Sequence, residues 1–536
     1  MLPKLTRQDW LLFLVILSAG VWAKMSHLER VGIRTADEGS YCFFGMTMLN
    51  GEPKCIQDKP GQAIILAAGF NLFGPSQYGA VAITAMLGVL TIPALYWLGL
   101  EMGNKLYAVA LSAVSVCMPY LLYYHRGASS DSNFFLFCVL GLALFLRAVK
   151  QERAEENPDE EKSRTCLKWL AASGLVWGAG ITVNLATIPP YGIVWLFLGV
   201  LCKWRNLGLK TTAVALSVFG GAGLVGVAFV ELPIIKFIHM DRVWGQVGGH
   251  SRHILETTLR FEWTKHLWMF FGPPGILLSI AGMLNYRKWW KTPLAVFPAL
   301  AVVLIIFYMR GQLQLPRLHL PILIPLLPLM AMGVESLVEL IQKQWKPIPD
   351  LIIQICAAVA LIGIHVPEAV RIQKLESGYP NACNWLLRNM ADTDMGVGTH
   401  TFWTFAAFTR HPFAPDENRL TSALNGDDWR QATLRQLREY AFTHHRKWLV
   451  IDYLILNRLY DPYKTKAKLP GFERLRHLLE MYPPDKLGGA VIPNPVASDY
   501  QTHREDELVP DLQNEPMARN IYIYRIPELV RAMSGS

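Results

Sequence analysis

Apolar residues in this chain run in long unbroken blocks, beginning with Leu11 to Ala23 (LLFLVILSAGVWA) and recurring as far as Leu361. A bilayer core about 30 Å thick needs roughly 20 apolar residues per helix. On that measure the chain reads as mostly α, a polytopic bundle of about eleven spans. They lie near 9–24, 78–100, 105–123, 131–149, 167–183, 188–203, 211–231, 267–285, 293–309, 318–337 and 348–366. The stretch 60–74 is also apolar, but it is short and flanked by Pro and Gly, which fits an interfacial or re-entrant piece better than a span. Lys4 and Arg7 precede the first block as they would in a signal peptide, but no small-residue cleavage site follows, so an uncleaved anchor is expected.

Beyond residue 366 the pattern changes. The segments around Trp385 and Trp429 have the spacing of amphipathic helices. Met395–His400, Lys447–Tyr453 and Asn520–Ile526 read as short strands. The expected division is a membrane domain over 1–366, with long outer loops at 25–77 and 232–266, and an extracytoplasmic α/β domain over 367–536.

Charge orients this arrangement. One set of short loops holds Lys4 and Arg7, Lys105, the run from Arg147 to Lys168, Lys203 to Lys210, Arg287 to Lys291, and Lys343 with Lys346; the opposite short loops hold only Arg126, Arg310 and Arg317. The positive-inside rule makes the first set cytoplasmic, together with the N-terminus. It also accounts for the net charge of +9, which is spread over loops and forms no nucleic-acid patch. The composition agrees, with 52% hydrophobic and only 17% charged residues. The eight cysteines form no CxxC pair and no zinc spacing. Cys42 and Cys55 share an outer loop, where either a disulfide or two free thiols would be compatible with the sequence.

Three outward stretches carry candidate chemistry. In the first, Asp37 and Glu38 follow the first span, with Tyr41, Gly45, Gly51 and Lys59-Pro60 after them. A carboxylate beside a membrane can serve as a general base, and Asp37 can equally be the N-cap of a following helix. In the second, His125, Arg126 and Asp131 share a very short loop. Charges so close to lipid are functional candidates, while Ser130 or Asp131 as a helix cap and Arg126 as an interfacial anchor form the plainer reading. In the third, Arg310, Arg317 and His319 lie on the same outer face, beside Pro316, Pro321, Pro325 and Pro328. Guanidinium groups there could hold a phosphate, or Arg317 could simply snorkel. Asp392-Thr393-Asp394 has a DxD form but sits where a turn is expected, and His444-His445 has no further ligand at metal spacing. A divalent metal therefore has no clear ligand set, and no cofactor is expected.

The order of these motifs resembles the GT-C membrane glycosyltransferases, specifically the protein O-mannosyltransferase and lipid A aminoarabinose transferase group. The resemblance rests on Asp37-Glu38 with Tyr41 and Leu49-Asn50-Gly51, then Lys59-Pro60 ahead of Phe70–Gly74. Arg126 with Asp131 and the Pro316–Pro321 segment complete it. It covers roughly residues 10–150 well and 300–366 less closely. The family often has Lys-Pro-Pro where this chain has Gly61.

The resemblance implies transfer of a single sugar from a polyprenyl-phosphate donor to a lipid, glycan or protein acceptor at the outer face, with inversion. It gives Asp37 the role of base, with Glu38 and Asp131 supporting the site. Lys59, Arg126, Arg310 and Arg317 would hold the lipid phosphate, and Tyr41, His125 and His319 would face the acceptor or sugar. The implied partners are the lipid-linked sugar, the acceptor and the bilayer, without nucleic acid. A bacterial inner membrane is the expected location. The competing class is a polytopic lipid or glycolipid transporter or flippase, for which inverted repeats and midplane charges would be expected; neither is apparent.

Overall fold

The structure is a computed structural model that describes residues 4–51, 59–151, 160–237, 267–268, 271–309, 320–344, 348–398, 402–416, 419–452, 455, 459–461, 467–495 and 515–535. The chain divides into two compact units. One comprises 1–26, 53–65 and 83–373, and the other 27–52, 66–82 and 374–536. The second unit therefore joins the tail to two segments from the N-terminal region.

In the first unit the apolar blocks are helices. Its main elements are α1 (Arg7–Met25), α4 (Gln77–Met102, from residue 83 onward), α5 (Lys105–Cys117), α6 (Pro119–His125), α7 (Ser130–Gln151), α8 (Glu160–Val183), α9 (Ile188–Trp204) and α10 (Leu209–Glu231). Among the described residues, seven helices are long and apolar enough to cross a membrane, or nine if two bent pairs each count as one span. The bends are 60° between α5 and α6, where Pro119 cannot continue the helix ladder, and 48° between Asp350–Gly363 and Val366–Gln373.

Among the described residues the expected count of eleven is not reached. Gly272–Leu284, inside the expected span 267–285, is a helix of 13 residues, about 20 Å long and short of the bilayer core. Pro293–Phe307 is likewise among the shorter apolar helices, as is α3 (Pro60–Phe73), in keeping with an interfacial or re-entrant piece at 60–74.

Lipid offers little hydrophobic drive between apolar helices, so close backbone approach carries much of their association. The contact of α8 with α10 shows this. A Cβ on Gly178 would stand 2.1 Å from the Gly223 carbonyl oxygen, and one on Gly226 2.4 Å from that of Leu175.

The second unit contains α2 (Ala36–Leu49) and a five-stranded mixed sheet. Its strands are β1 (Gly396–Gly398), β2 (Phe413–Pro415), β3 (Trp448–Ile451), β6 (Ala490–Pro493) and β7 (Asn520–Arg525), in the order β2-β1-β3-β7-β6. A separate pair is formed by β4 (Tyr460–Asp461) and β5 (Ala467–Lys468). β1 is parallel to β2 and β3, while β7 is antiparallel to β3 and β6.

All four residues of β3 are buried, because both faces of the sheet are covered. Leu449 and Ile451 join a core with Leu424, Leu437, Phe472 and Tyr524. Trp448 and Val450 point the other way, to Tyr379, Leu386, Phe405 and Ile523. This tail is an α/β layer structure of the kind its alternating pattern indicates.

Candidate active site

The acidic stretch belongs to the second unit and is built around the first turn of α2. Thr35 is extended and accepts a bond from the Glu38 N–H at 3.2 Å, so Thr35 is the N-cap. Glu38 reaches back: its Oε2 accepts from the Arg34 N–H at 2.8 Å and its Oε1 from Arg34 Nη2 at 2.9 Å. Both side chains of this ion pair are only 2% exposed. Hence Asp37 is not the cap. It occupies the second helical position, half-buried, where helix N–H groups favour negative charge. Tyr41 is buried one turn further on.

The tail fixes the position of α2 within this unit. A Cβ on Gly39 would lie 2.2 Å from Thr404 Oγ1, and Phe43 stacks on Trp403 at 4.8 Å between ring centroids. Ser377 donates from its backbone N–H to the Arg30 carbonyl at 3.0 Å and from Oγ to that of Ile33 at 2.5 Å. Cys42 is a buried free thiol; burial, with the nearby Glu38 carboxylate adding, pushes its pKa well above the usual thiol value. Cys55 lies outside the described residues.

The basic stretch belongs to the first unit. Lys59 is half-buried immediately before α3, and its carbonyl accepts from the Gln62 N–H at 3.1 Å. With Pro60 at the first helical position, the turn is pre-set for helix entry. Gly61, the departure from Lys-Pro-Pro, has a physical cause: a Cβ there would stand 2.5 Å from Thr182 Oγ1 and 2.9 Å from the Val183 nitrogen. Gln62 extends the polar contacts inward. Its Nε2 donates to the Ala128 carbonyl at 3.0 Å and its Oε1 accepts from Asn133 Nδ2 at 2.9 Å.

His125, Arg126 and Asp131 are all buried, so the short loop that carries them is packed inside the unit. His125 Nδ1 lies 3.1 Å from Lys24 Nζ. Arg126 Nη1 donates to the carbonyls of Ala23, Lys24 and Ser26 at 3.3, 3.1 and 2.7 Å. It thereby satisfies acceptors that the end of α1 leaves open. Gln373 Nε2 adds a bond to Ala23 O at 3.1 Å. Asp131 accepts from Asn184 Nδ2 at 2.8 Å and from Ser129 Oγ at 2.8 Å, so among the described residues its hydrogen bonds go to neutral groups.

Arg310, Arg317 and His319, together with most of the loop 232–266, lie outside the described residues. No group of three or more His, Cys, Asp or Glu able to hold a metal occurs among the described residues. The DxD segment is a turn: Asp394 accepts from the Ala391 N–H, Lys447 Nζ and Trp448 Nε1 at 3.1, 2.6 and 2.9 Å.

Arg34, Lys24, Gln62, Asn133 and Asn184 escaped the sequence reading. Of these arrangements only the first had a local signal, because Thr35-x-x-Glu38 is a capping pattern. The others depend on contacts between distant segments.

Residues 41–243 match the model of the family described as dolichyl-phosphate-mannose-protein mannosyltransferase. No curated protein matches the chain in a direct sequence search. Similar folds occur among solved structures. ArnT from Cupriavidus metallidurans bound to undecaprenyl phosphate is 14% identical, with a TM-score of 0.59 and 87% of this chain and 97% of that chain covered. The oligosaccharyltransferase of Archaeoglobus fulgidus in the apo form is 12% identical, with a TM-score of 0.59 and coverages of 84% and 70%. The archaeal oligosaccharyltransferase AglB from the same organism, in complex with an inhibitory peptide and a dolichol-phosphate, is 12% identical, with a TM-score of 0.57 and coverages of 83% and 69%. The chain thus has the fold of these proteins, with seven to nine candidate membrane spans among the described residues, and over residues 41–243 it matches the mannosyltransferase family model.

Proposed function

We propose that the chain transfers one sugar from a polyprenyl-phosphate carrier to a lipid, glycan or protein acceptor, with inversion, and that Asp37 is the base. The observation that carries this reading is the division of labour at the start of α2. Thr35 makes the cap and Glu38 is committed to Arg34, so helix capping does not account for the Asp37 carboxylate. The carriers named for two similar structures, undecaprenyl phosphate and dolichol-phosphate, support the donor class.

In this mechanism the acceptor's nucleophilic atom attacks C1 of the sugar on the side opposite the phosphate, while Asp37 takes its proton. The bond from C1 to the phosphate oxygen breaks, and its electron pair leaves with the carrier phosphate. Negative charge therefore grows on that phosphate, where placed cations stabilise it. Lys59 is assigned this role first, with Arg126, Arg310 and Arg317 as further contacts. Tyr41, His125 and His319 are assigned to the sugar or acceptor, and Asp131 holds the short loop in shape. The Lys and Arg asymmetry of the loops supports a cytoplasmic N-terminus and an outward tail, and a bacterial inner membrane is the location assigned here.

The test is turnover of radiolabelled polyprenyl-phosphate sugar by purified protein. Asp37→Asn is expected to lower kcat by about 10²-fold or more, in the range of general-base catalysis. Lys59→Ala is expected to lower kcat/KM for the lipid donor. Folded Asp37→Asn protein with unchanged turnover would remove Asp37 from the chemistry.

A further inference from the structure

The reaction just described uses none of the loops rich in Lys and Arg. Two of these loops, distant in sequence, meet in the first unit through indole rings. Trp204 ends α9, and Trp290 follows the short helix Tyr286–Trp289. The ring centroids of Trp204 and Trp290 are 5.7 Å apart, and Trp289 stands 6.3 Å from Trp290. Neither 203–210 nor 285–292 contains an Asp or Glu, so neither loop supplies its own counter-charge.

The second loop is held in shape. Asn285 Nδ2 donates to Ser336 Oγ at 3.0 Å, and the Thr292 N–H returns to the Trp289 carbonyl at 3.0 Å. The cations then divide into two sets. Lys288 is paired with Glu335 at 2.8 Å and with Glu339, and Arg205 Nη2 donates to the Val149 carbonyl at 2.7 Å. Lys203, Arg287 and Lys291 are exposed and have no hydrogen-bond or ion-pair partner among the described residues. The indoles divide in the same way. Trp289 Nε1 donates to the Met283 carbonyl at 3.1 Å, while the N–H groups of Trp204 and Trp290 have no partner among the described residues. Trp290 is 54% exposed.

The apolar surface beside this seam says what reaches it. On α9, Leu196 is exposed and lies about 12 Å along the helix from Trp204. Val302, Val303 and Ile306 are exposed on the helix Val296–Met309, which packs on α9. Acyl chains cover such surfaces in a bilayer, which puts the indoles and the unpaired cations at the level of the headgroups. We propose that the seam binds the phosphodiester of one anionic phospholipid. Lys203, Arg287 and Lys291 meet its charge, the Trp204 and Trp290 N–H groups donate to its oxygens, and its acyl chains lie along Leu196 and Ile306. A soluble anion would leave the apolar faces of the rings without a use. The loop charges make the leaflet the cytoplasmic one, and the proposal does not rest on the transferase reading.

The experiment is native mass spectrometry of the full chain, delipidated in a neutral detergent and titrated with phosphatidylglycerol or phosphatidylcholine of the same acyl chains. The first equivalent of phosphatidylglycerol is expected to bind at least about tenfold more tightly than that of phosphatidylcholine. Arg287→Gln/Lys291→Gln is expected to remove most of this preference. Trp290→Ala alters an exposed side chain and is expected to weaken both lipids by about threefold. Lys4→Gln/Arg7→Gln removes two exposed cations at the start of α1 and is expected to leave the preference intact. Equal affinity of the wild type for both lipids overturns the proposal. An equal loss in the two double variants also overturns it, because net charge alone would then attract the lipid. Displacement of phosphatidylglycerol by excess glycerol 1-phosphate overturns it as well, since the seam would then take a soluble phosphate.

Discussion

Arg34 and Lys24 are both buried basic side chains, and the chain treats them in opposite ways. Arg34, at the entry to α2, meets a carboxylate at 2.9 Å, and the same carboxylate accepts the Arg34 N–H at 2.8 Å. Lys24, in the last turn of α1, meets only an imidazole nitrogen at 3.1 Å; no carboxylate of the described residues is within ion-pair distance. If His125 accepts at Nδ1, its proton sits on Nε2, which has no partner among the described residues. The first arrangement fixes a helix start by mutual satisfaction. The second places a donor where little answers it, a cost accepted at functional positions more often than at structural ones.

The largest expected effect breaks the satisfied pair. Glu38→Gln removes the carboxylate that meets the buried Arg34 guanidinium at 2.9 Å, which should cost about 3–5 kcal/mol. Thermal unfolding of the detergent-solubilised protein measures this. The double variant Arg34→Met/Glu38→Leu should recover most of the loss, because neither charge then has to be desolvated. A double variant as unstable as the single one would show that the pair does more than satisfy itself.

Lys24→Met should move the other way. Removing an ammonium that lacks a carboxylate is expected to leave stability unchanged or raise it by up to about 2 kcal/mol. The same unfolding measurement applies, now paired with turnover. A stability gain with intact turnover makes Lys24 a tolerated defect, whereas a gain with lost turnover makes it functional. A loss as large as that of Glu38→Gln would end the contrast between the two sites.

These outcomes bear on what the sequence could reveal. The long apolar runs were readable because hydropathy is a local property. Their number was not, since the α5–α6 bend at Pro119 and the shortness of Gly272–Leu284 decide which runs cross. Within the site, Thr35-x-x-Glu38 is a local pattern that identifies the cap once Asp37 is not assumed to be it. Gly61 reads as an anomaly until Thr182 and Val183 are seen against it. The bonds from Arg126 Nη1 to the carbonyls that end α1 have no signature around Arg126 itself. Local patterns were legible, and partners more than a hundred positions away were not. For the same reason the pairing of α2 with the tail, through Gly39 and Thr404, leaves no trace in either segment alone.

The smallest expected effect concerns a second cation–carboxylate contact, this one at a surface. The Asp394 side chain is 7% exposed, while its partner Lys447 is 49% exposed. Burial alone would raise the Asp394 pKa, but hydrogen bonds from Lys447, Trp448 and the Ala391 N–H outweigh it, and the carboxyl is held below its ordinary value. A depressed carboxyl contributes stability above its unfolded pKa and loses it as pH falls through the folded one. Asp394→Asn should therefore cost about 1 kcal/mol at pH 7, the scale of a partly exposed pair. That difference from wild type should close as pH falls below about 4, near the unfolded value. Chemical denaturation of both proteins across this range decides the point. A gap that persists in acid would mean that the Trp448 and Ala391 hydrogen bonds act through shape, with the charge of Asp394 playing no part.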